Sequence, residues 1–98
     1  MSTVTVRMKV RPEKEARFLE ILAAVTRRVK AEEPDCLVYS TWATAEPHVY
    51  LMVESYRTQA GREFHNSLHR AVAPEFFSLL AEPPAVEQLG RLAVGHPD

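Results

Sequence analysis

Polar and apolar residues alternate without a break from Thr3 to Val10, with Val4, Val6, Met8 and Val10 on one side and Thr3, Thr5, Arg7 and Lys9 on the other. A repeat of two predicts a β-strand with one apolar face. Arg11-Pro12 ends it, because proline brings no N–H to a ladder. The repeat then lengthens. Phe18, Leu22, Val25 and Val29 follow at spacings of four, three and four, widened by Leu19 and Ile21. That predicts an amphipathic helix from Pro12, at its first turn, to Glu33. Glu13 and Glu15 suit the positive end of its dipole, and Arg27, Arg28 and Lys30 the negative end. Glu33-Pro34-Asp35 stops it.

Cys36–Trp42 is rich in β-branched and aromatic residues and predicts a second strand. After a short connection, His48–Tyr56 predicts a third, paired with the second as a hairpin. Both are apolar on both sides: Val49, Leu51 and Val53 on one, Tyr50, Met52 and Tyr56 on the other. A sheet with one solvated face has no need of this, so both faces are expected to be covered. Thr58 is a suitable cap for a helix over Gln59–Val72, in which Phe64, Leu68 and Val72 mark the expected core stripe. Gly61 weakens its first turn by about 1 kcal/mol. Pro74 interrupts the helix, Glu75–Ala81 predicts a short apolar helical turn, and Glu82-Pro83-Pro84 breaks the chain. Ala85–Leu92 predicts a last strand, and residues 93–98 a loose tail.

The order β-α-β-β-α-β is the ferredoxin-like arrangement, an α+β fold with a four-stranded antiparallel sheet and its helices on one face. The second face is apolar yet uncovered in a monomer. Two copies packed sheet to sheet in a symmetric homodimer would resolve that.

Composition narrows the class. The 98 residues fit a single domain, 1–98. A chain this short buries only roughly two-thirds of its unfolded surface, which adds a motive for pairing. A net charge of −1 argues against nucleic acid as the main partner. No stretch reaches the ~18 apolar residues of a membrane span, and Met1–Val10 lacks the apolar run of a signal peptide, so the expected compartment is the cytoplasm. Cys36 is the sole cysteine, which excludes an internal disulfide; it reads as a small buried hydrophobe.

Four stretches in order, EPDCLVYSTW from Glu33, VYLMVESY from Val49, FHNSLH from Phe64 and EPPAVEQL from Glu82, resemble the antibiotic biosynthesis monooxygenase family of dimeric α/β-barrel proteins. Asp35 stands where that family usually has glycine and Tyr56 where it has tryptophan, and His65 and His69 lie one residue closer than the usual pair. The resemblance implies oxygenation of a small electron-rich aromatic, a quinol or anthrone, by dioxygen with no cofactor, metal or flavin. Other family members degrade haem or have no assigned reaction, so fold is better implied than substrate. Haem-degrading relatives carry a first-strand asparagine that is absent here, which ranks haem binding third.

The sharpest chemical feature is the pair His65 and His69, four apart and therefore on one side of a helix. Histidine exchanges protons near neutral pH, and a cofactor-free oxygenase needs a base for its phenolic substrate. The competing reading is two solvent-facing or capping histidines at the border of the Phe64–Leu68 stripe. The pair also has the spacing of a zinc site, but no third ligand is evident from sequence and Asn66 occupies the glutamate position of His-Glu-x-x-His, so no metal is expected. Glu54 shares a face with Tyr50 and Met52; it either orients a substrate or a histidine in a pocket, or pairs with an arginine such as Arg57 or Arg62, or ends the strand in water. Tyr39, Trp42 and Tyr56 are candidate walls for an aromatic ligand, or else core or interface residues. Phe77, with Phe76, Leu79 and Leu80, is a candidate roof between sheet and helices. Two functions lead, a monooxygenase or a non-catalytic dimer that binds or senses a small molecule, with haem binding and breakdown third.

Overall fold

The computed structural model describes residues 1–95. Four strands, β1 (Ser2–Lys9), β2 (Cys36–Ala43), β3 (Val49–Tyr56) and β4 (Ala85–Leu89), form one antiparallel sheet in the order β2-β3-β1-β4. Helices α1 (Glu15–Glu32), α2 (Gln59–Leu68) and α3 (Ala73–Ser78) complete the expected α+β, ferredoxin-like arrangement. Among the described residues no helix is long and apolar enough to cross a membrane.

The alternation in β1 sets the core. Val4, Val6, Met8 and Val10 are buried and meet Phe18, Ile21 and Leu22 of α1, Met52 of β3, and Leu79 and Leu80 beyond α3. Phe18 stacks on Phe76 at 5.2 Å between ring centroids and packs on Tyr50 at 5.1 Å, which ties α1 to both α3 and the sheet. The exposed ends of α1 and α3 are also joined: Arg17 makes a fork of two 2.9 Å hydrogen bonds to the Glu75 carboxylate.

Several boundaries differ from the sequence pattern. Pro12–Lys14 form a 3₁₀ turn, and α1 begins only at Glu15. The second helix stops at Leu68, short of Val72, with His69 closing its last turn through N–H to the His65 carbonyl. β4 ends at Leu89, ahead of Gly90, and residues 93–95 lie outside any helix or strand. The rest of the expected tail, 96–98, lies outside the described residues.

The face of α2 is turned relative to its expected stripe. Phe64 is 49% exposed, whereas Gly61 and His65 are buried, His65 to 8%. Two contacts decide this. A Cβ on Gly61 would lie 2.8 Å from the Asp35 Cβ, so only glycine lets this turn sit so close to the α1–β2 corner. The buried histidine also finds a hydrogen-bond partner there, which removes the usual cost of burying it.

Among the described residues no helix lies on the opposite sheet face. The register places Trp42 beside Leu51, with Ser40 and Val53 next along the same face. Trp42 is 55% exposed.

Candidate functional site

α1 ends at a corner that positions one carboxylate. Glu33 leaves helical geometry at φ −121° and ψ 83°, Pro34 blocks continuation, and the Glu33 carbonyl accepts from the Cys36 N–H at 3.1 Å as the chain enters β2. The turn drives the Glu33 side chain inward until it is 1% exposed. Three donors converge on it. The Tyr56 hydroxyl, at the end of β3, donates to Oε1 at 3.0 Å. His65 approaches through Nδ1 at 2.9 and 3.0 Å from the two oxygens, and His69 through Nε2 at 2.7 Å from Oε2.

A carboxylate only accepts, so the ring nitrogens facing it carry their protons. A neutral His65 then has its lone pair on Nε2, and a neutral His69 on Nδ1. A buried carboxylate that fixes tautomer and stabilises an imidazolium is the arrangement that makes histidine an effective base. The two rings are 4.5 Å apart, and Tyr39 and Tyr56 flank His65 at 5.2 and 5.5 Å.

On the far side of His65 stands Glu54, whose Oε1 is 4.0 Å from Nε2, outside hydrogen-bond reach. Arg62 holds it: Nη1 donates to Glu54 Oε1 at 3.3 Å, Nε to the Ser2 hydroxyl at 2.7 Å, and the guanidinium lies 4.9 Å over the Tyr56 ring. Glu54 thus pairs with Arg62, one of the two partners expected, and still faces the pocket.

These side chains form the polar end of a pocket of about 540 Å³ between the sheet and the helices. Its floor is Val4, Val6, Met8 and Met52, its edge Val86, and its roof includes Phe76 and Phe77. The volume falls in the range of small-molecule sites, roughly 300–1,000 Å³. Tyr39 also lines it, and burial, reinforced by the nearby Glu54 and Glu33 charges, pushes its phenol well above the ordinary value. Tyr39 therefore stays a neutral hydroxyl.

The structure sorts the residues singled out in sequence. His65, His69, Glu54, Tyr39 and Phe77 all reach this pocket. Tyr56 does not form a wall of it: fully buried behind His65, it holds Glu33 instead. Trp42 is on the opposite, open face, because the β2–β3 register puts it one residue out of phase with Tyr39 and Thr41. The histidines do not border solvent as the Phe64–Leu68 stripe suggested: His65 is buried on the inward face of α2, and the side chain of His69, the residue that caps its C-terminus, is 9% exposed. Sequence reasoning missed Glu33, which read only as a helix stop, and with it the third ligand-type group beside the histidine pair: the donor atoms of Glu33, His65 and His69 lie within 4.8 Å of one another. A carboxylate next to proline at a helix end, followed by a histidine pair with no evident partner, was the available signal.

Comparison with known proteins returns the same architecture. The family model described as antibiotic biosynthesis monooxygenase matches residues 1–73. A Caulobacter crescentus structure, described as a candidate antibiotic biosynthesis monooxygenase, is 29% identical, with a TM-score of 0.84 over 93% of this chain and 89% of that one. Two others agree in fold: Rv0793 from Mycobacterium tuberculosis at 22% identity, TM-score 0.86, covering 97% and 98%, and PA3566 from Pseudomonas aeruginosa at 25%, TM-score 0.74, covering 94% of each. No curated protein matches the chain.

Proposed function

The chain belongs to the antibiotic biosynthesis monooxygenase family, and from that premise we propose that it is a monooxygenase that oxidises a small electron-rich aromatic, a quinol or anthrone, in the pocket beneath α2 and α3. One observation carries the reading: His65 is tied through Nδ1 to the buried Glu33 carboxylate while its Nε2 lone pair is left beside an apolar pocket. Nε2 removes a proton from the bound substrate, and Glu33 stabilises the imidazolium that results. The substrate anion is electron-rich enough to pass an electron to dioxygen. Recombination gives a peroxide anion that takes the proton back from His65, and loss of water completes R₂CH₂ + O₂ → R₂C=O + H₂O for an anthrone, or C₆H₆O₂ + O₂ → C₆H₄O₃ + H₂O for a simple hydroquinone. Tyr39, a neutral donor, stabilises the developing oxyanion. The valine and methionine floor excludes water from the anion.

The working unit in this reading is a homodimer joined through the open sheet faces. Trp42 and Leu51, unpartnered in one copy, supply an aromatic anchor for the second.

The test is oxygen consumption with a panel of hydroquinones and anthrones. Turnover above the uncatalysed rate, lost in His65→Ala, is expected. Saturable binding of these compounds without oxygen uptake would replace the enzyme with a small-molecule binding dimer.

A further inference from the structure

We propose that Glu33, His65 and His69 also form a binding site for a divalent transition-metal ion of the zinc class, and that the bound ion silences the His65 base. The binding stands on geometry alone; the silencing rests on the oxygenase reading above.

Two imidazoles and one carboxylate are the ligand set of three-residue zinc centres that keep a position open. Here the donors are His65 Nδ1, His69 Nε2 and a Glu33 oxygen, all within 4.8 Å of one another. His65 is in the last turn of α2 and His69, four residues on, is its C-cap, held by the hydrogen bond from its N–H to the His65 carbonyl at 3.1 Å. The nitrogen–oxygen distances are 2.7–3.0 Å. Ligand atoms sharing one zinc ion sit roughly 3.4 Å apart, given bonds of about 2.0–2.2 Å and tetrahedral angles. A separation of about half an ångström, within the reach of side-chain torsions, converts the hydrogen-bonded cluster into a chelate. Both histidines line the pocket, while Glu33 does not.

The surroundings are those of a metal site as well as of a base. The Tyr56 hydroxyl anchors Glu33 from behind at 3.0 Å. On the other side of His65, Glu54 waits 4.0 Å from Nε2. An ion on Nδ1 displaces the proton from that nitrogen and leaves neutral His65 protonated on Nε2. Nε2–H then faces Glu54, 4.0 Å away, and a shift of about 1 Å would close a carboxylate–histidine–metal chain. That same tautomer change turns the base nitrogen into a donor, so the base is lost while the ion is bound.

The experiment uses chelator-treated full-length protein. Cobalt(II) titration should give a visible ligand-field spectrum saturating at one ion per chain, bleached by zinc. Tyr56→Phe should weaken binding about tenfold. His69→Ala should abolish the spectrum while keeping His65, and His48→Ala, remote from the cluster, should leave it unchanged. With an active substrate, zinc should lower turnover tenfold or more in the wild type, be reversed by chelator, and leave His69→Ala turnover unaffected. Failure of the wild type to bind cobalt, or wild-type binding by a folded His69→Ala, overturns the site. Binding without loss of turnover overturns the silencing alone. Absence of turnover with any substrate fails the oxygenase reading and the silencing with it, while the cobalt titration still decides the site.

Discussion

The Tyr56 hydroxyl and the Glu33 carboxylate meet at 3.0 Å with both side chains out of reach of solvent. Glu33 has two other donors, so loss of Tyr56 weakens the carboxylate's support without orphaning it. Tyr56→Phe is expected to cost about 1–3 kcal/mol of unfolding free energy, the penalty for under-satisfying a buried charged acceptor. Denaturant melts check this. A loss below a few tenths of a kcal/mol would show that the hydroxyl does not hold Glu33.

The two histidines should separate kinetically. His65→Ala is expected to lower turnover by about 10²–10⁴, the range for loss of a general base. Glu33→Gln should cost part of the same factor, because an amide can orient His65 but cannot stabilise its cation. His69 shares the Glu33 carboxylate through Oε2 at 2.7 Å and is not the base in this reading, so His69→Ala should change kcat far less. Equal losses for His65→Ala and His69→Ala would mean that the base has been assigned to the wrong ring or is shared.

Tyr39 gives a pH prediction. Burial, with Glu54 and Glu33 nearby, raises its folded-state pKa above the unfolded value of about 10. The folded chain therefore holds the proton more tightly than the unfolded one. The associated stability is complete below about pH 10 and is lost as pH rises from there through the raised folded value. Tyr56 behaves in the same direction, also chiefly from burial. Wild type should lose stability on the alkaline side, and Tyr39→Phe should flatten that limb while leaving stability at pH 7–8 little changed. An unaltered alkaline limb would place the titration elsewhere.

The sheet was legible because its signal is local. Val4, Val6, Met8 and Val10 announce β1 by alternation, and their burial follows from the same pattern. The site was only half legible. His65 and His69 stood out as chemistry, but the Phe64–Leu68 stripe pointed the helix the wrong way, since hydrophobic spacing does not register a buried carboxylate waiting on another element. Glu33 is 32 residues from His65 in sequence, and its role exists only once the α1–β2 corner is folded. The choice between pocket wall and interface for Trp42 was not legible for a different reason: the irregular pairing between Cys36 and Val38 and the parity of β2 decide its face, and an aromatic-rich strand with both sides apolar carries no parity signal.

The open sheet face should pair with a second copy. A stable interface is expected to bury well over about 1,000 Å² in total, and Trp42 lies where an anchor is needed. Light scattering at micromolar concentration should give the dimer mass, and Trp42→Glu should shift it toward the monomer. A monomeric wild type would leave Trp42 and Leu51 without the partner proposed for them.

Gly61 and Asp35 make the most discriminating pair. A Cβ added at Gly61 would fall 2.8 Å from the Asp35 Cβ, closer than real carbon pairs approach. The contact involves the root of the Asp35 side chain, which no rotamer change can move. Asp35 is also held by its backbone, whose carbonyl accepts from the Arg57 N–H at 2.8 Å. Gly61→Ala therefore has to push α2 away from the corner, at a cost of about 1–3 kcal/mol, even though alanine is the better helix former. The displacement would draw His65, one turn further along, away from Glu33, so activity should fall together with stability. Asp35→Gly removes the obstructing carbon. In the double variant the clash is gone and alanine's helix propensity remains, so its stability should exceed the sum of the single effects by 1 kcal/mol or more, with turnover recovering in parallel. Additive stabilities across that cycle would mean that α2 does not dock against the corner through this contact, and that the placement of His65 depends on something other than the fit of Gly61.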